Sequence, residues 1–356
     1  MSDIRDMLVE TSEKLFADLS TAEVINASEQ GVWAAQLWTA LEEAGLTLAA
    51  VPEDLGGAGG TLGDAFAVVR VAGRYAAPVP VAETVLAGWA LAGSGLKVPS
   101  GPLAIAPVAA GDAIEIVKAG ESWTVSGTAR HVPWARHADH IVVVGDGAVA
   151  AVPRGDCRIE EGANMAGEPN DLVTFDKVRV DAGAAGPAGE GIGPDSLWVM
   201  GALGRAVLMS GGLERAFEHT VRYTSERVQF GRALSKFQAV QQEIAIMAGE
   251  VAAADVAADA AVAAAEAGDP TYQVAAAKAR VGQAASRIAG SSHQLHGAMG
   301  FTHEYPLQHN TRRLWVWRDE FGGEEEWAEK LGAWLAAAGG DEVWPFISGS
   351  RAGLAA

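Results

Sequence analysis

"RYTSERVQFGRALSKFQ" (residues 222–238) is the most informative stretch of the sequence. It brings Arg222, Arg227, Arg232 and Lys236 together in a chain with 26 Lys and Arg against 45 Asp and Glu, and a formal net charge of −19. Such a local reversal of sign suggests an anion site, and a guanidinium grips phosphate through two parallel N–H bonds. Gly231 breaks the helical pattern directly after Phe230, leaving an aromatic ring and free backbone groups beside the arginines. By itself the segment reads equally as a solvated helix end with ordinary ion pairs.

The flanking sequence gives it a setting. Downstream, "IAIMAGEVAAADVAADAAVAAAEAG" (244–268) is too rich in alanine for a sheet, and alanine lets helices approach closely in a bundle. Asp269 and Pro270 predict the next helix start, with Asp at the N-cap and Pro in the first turn. Upstream, "SWTVSGTAR" (122–130), "HIVVVGDGAVAAVP" (140–153) and "LVTFDKVRV" (172–180) are short alternating or β-branched runs between Gly, Asp and Asn. They predict a small β domain. Before it, "VWAAQLWTALEEAGL" (32–46) spaces Trp33, Leu37, Leu41 and Leu46 on one helical face. "VPEDLGGAGG" (51–60) then breaks the chain, and helices resume over 61–77 and after the prolines of 78–80. The expectation is an α+β, mostly α fold: an N-terminal helical domain (1–100), a small β-barrel or sheet domain (101–190) and a C-terminal helical bundle (191–356).

At 356 residues the chain is too long for one compact core. Its acidity argues against a nucleic-acid surface, though not against an anionic small molecule held by a local basic patch. The single Cys157 gives no disulfide framework. "MSDIRDMLVE" has the character of neither a signal nor a transit peptide, and no run of about 20 apolar residues lacks charge. A soluble, cytoplasmic protein without membrane insertion is expected.

"HQLHGAMGFTHEYP" (293–306) is the second cluster. Its small residues allow close backbone approach, and Gln294 at a helix end can hydrogen-bond a ligand. His293, His296 and His303 lack metal-ligand helical spacing, so satisfied structural histidines are expected and no metal.

"PEDLGGAGG", "ERVQFGR" followed by "FQAVQQEIA", and "QLHGAMGFTHEYP", in that order, resemble the acyl-CoA dehydrogenases over nearly the whole chain. The resemblance implies the family's three-domain fold with a C-terminal four-helix bundle. It also implies FAD as cofactor, an acyl-CoA thioester as substrate and electron-transfer flavoprotein as acceptor. In that family a glutamate takes the α-proton while the β-hydrogen leaves as hydride to the flavin. It further implies that Arg227 and Phe230, with Gln229 between them, hold the pyrophosphate and adenine half of an FAD bound in a neighbouring subunit. Gln238 matches a further contact. Gln294, Gly297 and Ala298 match the family's Gln-x-x-Gly-Gly segment, with Ala298 departing from the second glycine.

Three positions depart from the pattern. Counting from Pro306, Arg312 falls on the family's arginine and Gly322 and Gly323 follow the base position, which is Phe321. A phenyl ring cannot accept a proton. Glu320 is adjacent, but one residue of rotation should turn it away, and it is expected to be exposed. Some members carry the base near the start of the bundle; there Gly201 and Ala202 stand, with Asp195 several residues upstream and Arg205 the only charge nearby. The flavin-ring motif falls on "IAPVAAGD" (105–112), without hydroxyls, and the Trp-Ile-Thr that packs on the ring reads His131, Val132, Pro133. Groups serving a neighbour's FAD are kept, while those for the chain's own flavin ring and base are lost. That pattern fits one subunit of a hetero-oligomeric acyl-CoA dehydrogenase, beside a homologous partner. The alternatives are a homo-oligomer using Glu320 as an unorthodox base, or a non-catalytic acyl-CoA- or protein-binding scaffold.

Overall fold

The structure, a computed structural model, describes residues 3–348. Five helices open the chain: α1 (Asp3–Leu19), α2 (Ala22–Ser28), α3 (Ala35–Glu43), α4 (Leu62–Arg74) and α5 (Val81–Gly93). Trp33 lies before α3 rather than within it, so the helical face begins at Leu37. The α4 start is specified locally by a capping box. Thr61 Oγ1 accepts from the Asp64 N–H at 3.2 Å and Asp64 Oδ2 from the Thr61 N–H at 2.9 Å. Arg5 of α1 then pairs with Asp64 at 2.8 Å, fastening α1 to the same helix end.

Eight strands follow: β1 (Leu103–Ala106), β2 (Ile114–Ala119), β3 (Ser122–Pro133), β4 (His140–Gly145), β5 (Ala148–Pro153), β6 (Arg158–Glu160), β7 (Asn170–Asp181) and β8 (Ala185–Pro187). They form two four-stranded sheets, ordered β1-β4-β5-β8 and β2-β3-β7-β6. Of the expected barrel or sheet domain, the sheet alternative holds: neither sheet joins its edge strands, so nothing closes. Alternation within a strand says which face is buried, but not whether edges meet. In β3 the pairing with β7 slips between Ala129 and Val132, a bulge that leaves His131 left-handed at φ 58°.

The last section begins with α6 (Pro194–Glu226), opened by Pro194 in its first turn. Its length and apolarity would suffice to cross a membrane, but here most of that stretch is buried in the protein. A two-stranded hairpin, β9 (Val228–Gln229) with β10 (Arg232–Ala233), leads into α7 (Gln238–Ala267). Then come α8 (Thr271–His296), α9 (Leu307–Asp319), α10 (Glu324–Ala338) and α11 (Gly340–Ile347). Residue 270, not 269, takes the α8 cap position, although Asp269 Oδ1 still receives the Thr271 N–H at 3.4 Å. Helices α4 and α6 cross very closely. A β-carbon at Gly73 would lie 2.0 Å from the Leu208 carbonyl oxygen, and one at Gly211 2.0 Å from that of Arg70. The expected C-terminal span ran to 356; residues 349–356 lie outside the described part.

Candidate functional site

The α9–α10 turn, α6 and the β-sheet region meet at Phe321. Its backbone is left-handed at φ 55°, a conformation uncommon for an aromatic residue, and Gly322 follows at φ 89°. Two buried donors hold the turn. Trp327 Nε1 donates to the Phe321 carbonyl at 2.8 Å, and Lys278 Nζ donates to those of Gly322 and Arg318, each at 2.6 Å. Lys278 is fully buried, and burial pulls its pKa down to about 7.

So held, the Phe321 ring lies on α6 at Gly201. A β-carbon at 201 would fall 2.2 Å from Phe321 Cε1, so the ring occupies the space any side chain there would need. Trp198 meets the same ring edge-on, with centroids 5.7 Å apart, and the Arg205 guanidinium lies 5.7 Å from its centroid. The two positions at which a base was sought are therefore neighbours. Between them they hold carbon and no carboxylate.

Glu320 departs from its expectation. It is largely buried, not exposed, and turns toward Arg205, whose Nε lies 2.5 Å from Glu320 Oε2. Arg205 Nη2 reaches Glu83 Oε1 of α5 at 2.6 Å. Burial opposes the Arg205 charge, but Glu320 and Glu83 outweigh it and raise the guanidinium pKa. Burial likewise pushes the Glu320 carboxyl above its usual range; Arg205 pulls it back, and Glu168 and Glu83 add to the rise. A second buried group lies alongside. Glu168 accepts from Arg313 Nε and from the Trp317 indole, both at 3.1 Å. Of these residues the sequence flagged Arg205 and Glu320. Their partners Glu83, Glu168 and Lys278 follow no local pattern, because the contacts join residues more than a hundred positions apart or in separate helices.

On the other side of Phe321 is a cavity of ≈ 430 Å³ between the sheets and the bundle. Ala109, Ala110, His131, Pro133, Glu320 and Phe321 all line it, so the departures in the β domain and at the C-terminal base position face one space. His131 Nδ1 lies 2.9 Å from Asn170 Oδ1. Asp112 holds the 107–112 loop by accepting from Arg130 N and Nε, both at 2.7 Å. A flavin ring needs hydrogen-bond donors at its polar edge. Pro133 has no N–H, and the side chains of Ala109 and Ala110 end in methyl groups, so none of these three side chains offers a donor.

The remaining sequence-flagged residues lie elsewhere. Arg227 follows α6 directly and Gln229 sits in β9. Phe230 and Gly231 form the hairpin turn, both left-handed (φ 52° and 81°), as a type I′ turn requires. Gln238 begins α7, Gln294 is in the last turn of α8, and Gly297 and Ala298 lie in the 3₁₀ turn after it. All seven of Arg227, Gln229, Phe230, Gln238, Gln294, Gly297 and Ala298 are exposed, Phe230 by 91%. None contacts the cavity beside Phe321. Among the described residues, Arg222, Arg227, Arg232 and Lys236 make no ion pair; Arg232 stacks over Phe237 at 4.1 Å. Cations left unpaired in so acidic a chain fit the diphosphate of a dinucleotide. His293 and His296 are held by Thr311 and by Ser292 and Tyr305.

This architecture is that of a flavoprotein dehydrogenase of acyl thioesters. Residues 2–97 match the acyl-CoA dehydrogenase N-terminal domain and residues 199–329 the acyl-CoA dehydrogenase C-terminal domain, and the chain belongs to the acyl-CoA dehydrogenase family, whose members are FAD-dependent. Acyl-CoA dehydrogenase IpdE2 of Mycobacterium tuberculosis is 31% identical over 309 residues, covering 85% of this chain and 88% of that protein. The Tcur3481–Tcur3483 steroid ACAD superposes with a TM-score of 0.83 at 27% identity, covering 94% of this chain and 98% of its own. The ChsE4–ChsE5 complex from Mycobacterium tuberculosis has the same fold, with a TM-score of 0.83, 23% identity and the same coverages.

Proposed function

We propose that this chain is one subunit of a hetero-oligomeric, FAD-dependent acyl-CoA dehydrogenase that lends binding groups to a companion's cofactor and supplies no base of its own. The observation that carries this reading is Phe321 seated against Gly201. Both positions that could bear the base are filled by a ring and a hydrogen atom. FAD bound at the companion's site would supply the hydride acceptor for α,β-dehydrogenation. This chain's part is to bind and orient: Arg227 would hold the diphosphate, Phe230 the adenine, and Gln229, Gln238, Gln294 and the 297–298 backbone would add polar contacts. Within its own cleft, Phe321 stands at the position of the base, and the Glu83–Arg205 pair holds Glu320 beside it. Relatives whose names pair two chains, one of them a steroid ACAD, support a companion subunit and a bulky acyl-CoA. On this reading the complex works in the cytoplasm and passes its electrons to electron-transfer flavoprotein.

The test is flavin content. Purified alone, the chain should carry little FAD and oxidise no acyl-CoA; co-expressed with a homologous companion, the complex should carry about one FAD per pair of chains, since one ring pocket in two is intact. Stoichiometric flavin with turnover in the lone chain would exclude this reading. A second reading has one observation in its favour: Glu320 borders the Phe321 cavity with its pKa raised, as a base requires.

A further inference from the structure

We propose that the cavity enclosed by the turn after α3, by α4, by α5 and by the end of α7 binds a small apolar molecule that ends in an ammonium group. At ≈ 660 Å³ it has the size of a small-molecule site, and it shares no lining residue with the cavity beside Phe321. Val85, Trp89 and Ala92 of α5 are spaced as one helical face, and Val51 and Leu62 add to the apolar wall. The turn that carries Val51 is fixed before any ligand arrives. Gly59 N donates to the Val51 carbonyl and Gly60 N to that of Ala49, each at 2.8 Å, and a β-carbon at Gly57 would lie 2.2 Å from the Val51 oxygen. Little ordering is therefore lost on binding.

Two polar groups in this wall have capacity to spare. Thr47 is only 6% exposed, yet its hydroxyl makes no hydrogen bond among the described residues. It is not sealed in: the unpaired polar atoms shut off from solvent include the indole nitrogens of Trp38 and Trp198 but not this oxygen, which therefore opens on the cavity. Glu266 uses one oxygen, Oε1, to accept from the Gly63 N–H at 2.8 Å and from Arg5 at 3.4 Å; Oε2 has no partner among the described residues. Arg5 lies nearer Asp64, at 2.8 Å, so one guanidinium is shared between two carboxylates. Among the described residues Glu266 is also the one charged side chain lining the cavity. A carboxylate or phosphate would meet repulsion there. An ammonium has three donors and no acceptor, which suits a carboxylate oxygen and a hydroxyl oxygen.

The test uses the full-length chain at about 0.15 M salt, where the pull of its net charge on any cation is screened. The probes are 1-pyrenemethylamine and 1-pyrenemethanol, one ring system ending in ammonium or in hydroxyl, each followed by fluorescence anisotropy. Wild type should bind the amine about tenfold more tightly than the alcohol, the value of a hydrogen bond to a charged group. Glu266→Gln keeps the oxygen that caps Gly63 and removes the charge, and should bind the two about equally. Ala92→Phe puts a ring into the cavity and should weaken both about tenfold or more; it decides the matter if the Glu266 variant does not fold. No saturable binding of the amine to wild type, or no preference over the alcohol, overturns the inference. So does a preference unchanged in Glu266→Gln, which would assign it to the acidic surface as a whole. Unchanged affinities in Ala92→Phe would put the binding elsewhere and overturn it too. None of these outcomes touches the flavin content of the chain.

Discussion

Glu320 shows how one side chain can be identified from sequence and still be misplaced. Counting from Pro306 located it beside the base position, but its burial depends on Arg205, 115 positions away, and on Glu83, which share no pattern with it. Glu320→Gln should leave the activity of an assembled complex within about twofold if the residue is structural, whereas a general base would lose 10²–10⁴-fold. The melting temperature should nevertheless fall, because the change removes one charge from a buried, charge-assisted pair, at a cost of about 1–3 kcal/mol. Unchanged stability with collapsed turnover would favour the second reading. Lys278 gives a pH prediction. Its pKa, about 7 in the fold, lies below the ~10.4 of an unfolded lysine. Between those values the unfolded chain binds more protons, so stability rises with pH there; the cost of burying the charge is complete below about pH 7. The neutral amine still has two N–H groups for its two carbonyl acceptors. Denaturation midpoints of wild type and Lys278→Met across pH 7–10 should show wild type gaining relative to the variant. A constant difference would contradict it.

At the scale of elements, most helices and strands were legible because Gly, Pro and capping residues punctuate them; Thr61 with Asp64 is one example. The two-sheet arrangement was not, since edge pairing depends on residues far apart in the chain. The β9–β10 hairpin lies between. Gly231 announced a break, but nothing local showed that Phe230 would adopt a left-handed backbone and stand 91% exposed. A large apolar side chain held so, at a conformational cost, fits contact with something outside this chain. Arg227→Ala should weaken FAD binding by the assembled complex by about 1.5–3 kcal/mol, the value of a charge-assisted contact. Phe230→Asn should weaken it too while relieving the left-handed residue, so the isolated chain melts no lower than wild type. Equal FAD affinity in wild type and both variants, by titration, would return the hairpin to an ordinary solvated turn.

The whole molecule carries a formal net charge of −19, and Arg222, Arg227, Arg232 and Lys236, in and beside the hairpin, make no ion pair among the described residues. Fields of opposite sign therefore reach an approaching anion from different distances, and dissolved salt filters them by range. Screening extends about 30 Å at 0.01 M and about 8 Å at 0.15 M. In dilute buffer an anion near the hairpin is exposed to the repulsion of the entire body. At physiological ionic strength that repulsion is cut off, while contact with Arg227 and its neighbours survives. Only at higher salt is the contact itself weakened. The affinity of the full-length chain for ADP should thus pass through a maximum as sodium chloride is raised, rather than fall from the start as it does for a uniformly basic phosphate site. A monotonic decline in a calorimetric series would mean that the four cations alone govern capture. A maximum would mean that the acidity of the body acts as a salt-tuned barrier to premature loading with phosphate-bearing molecules.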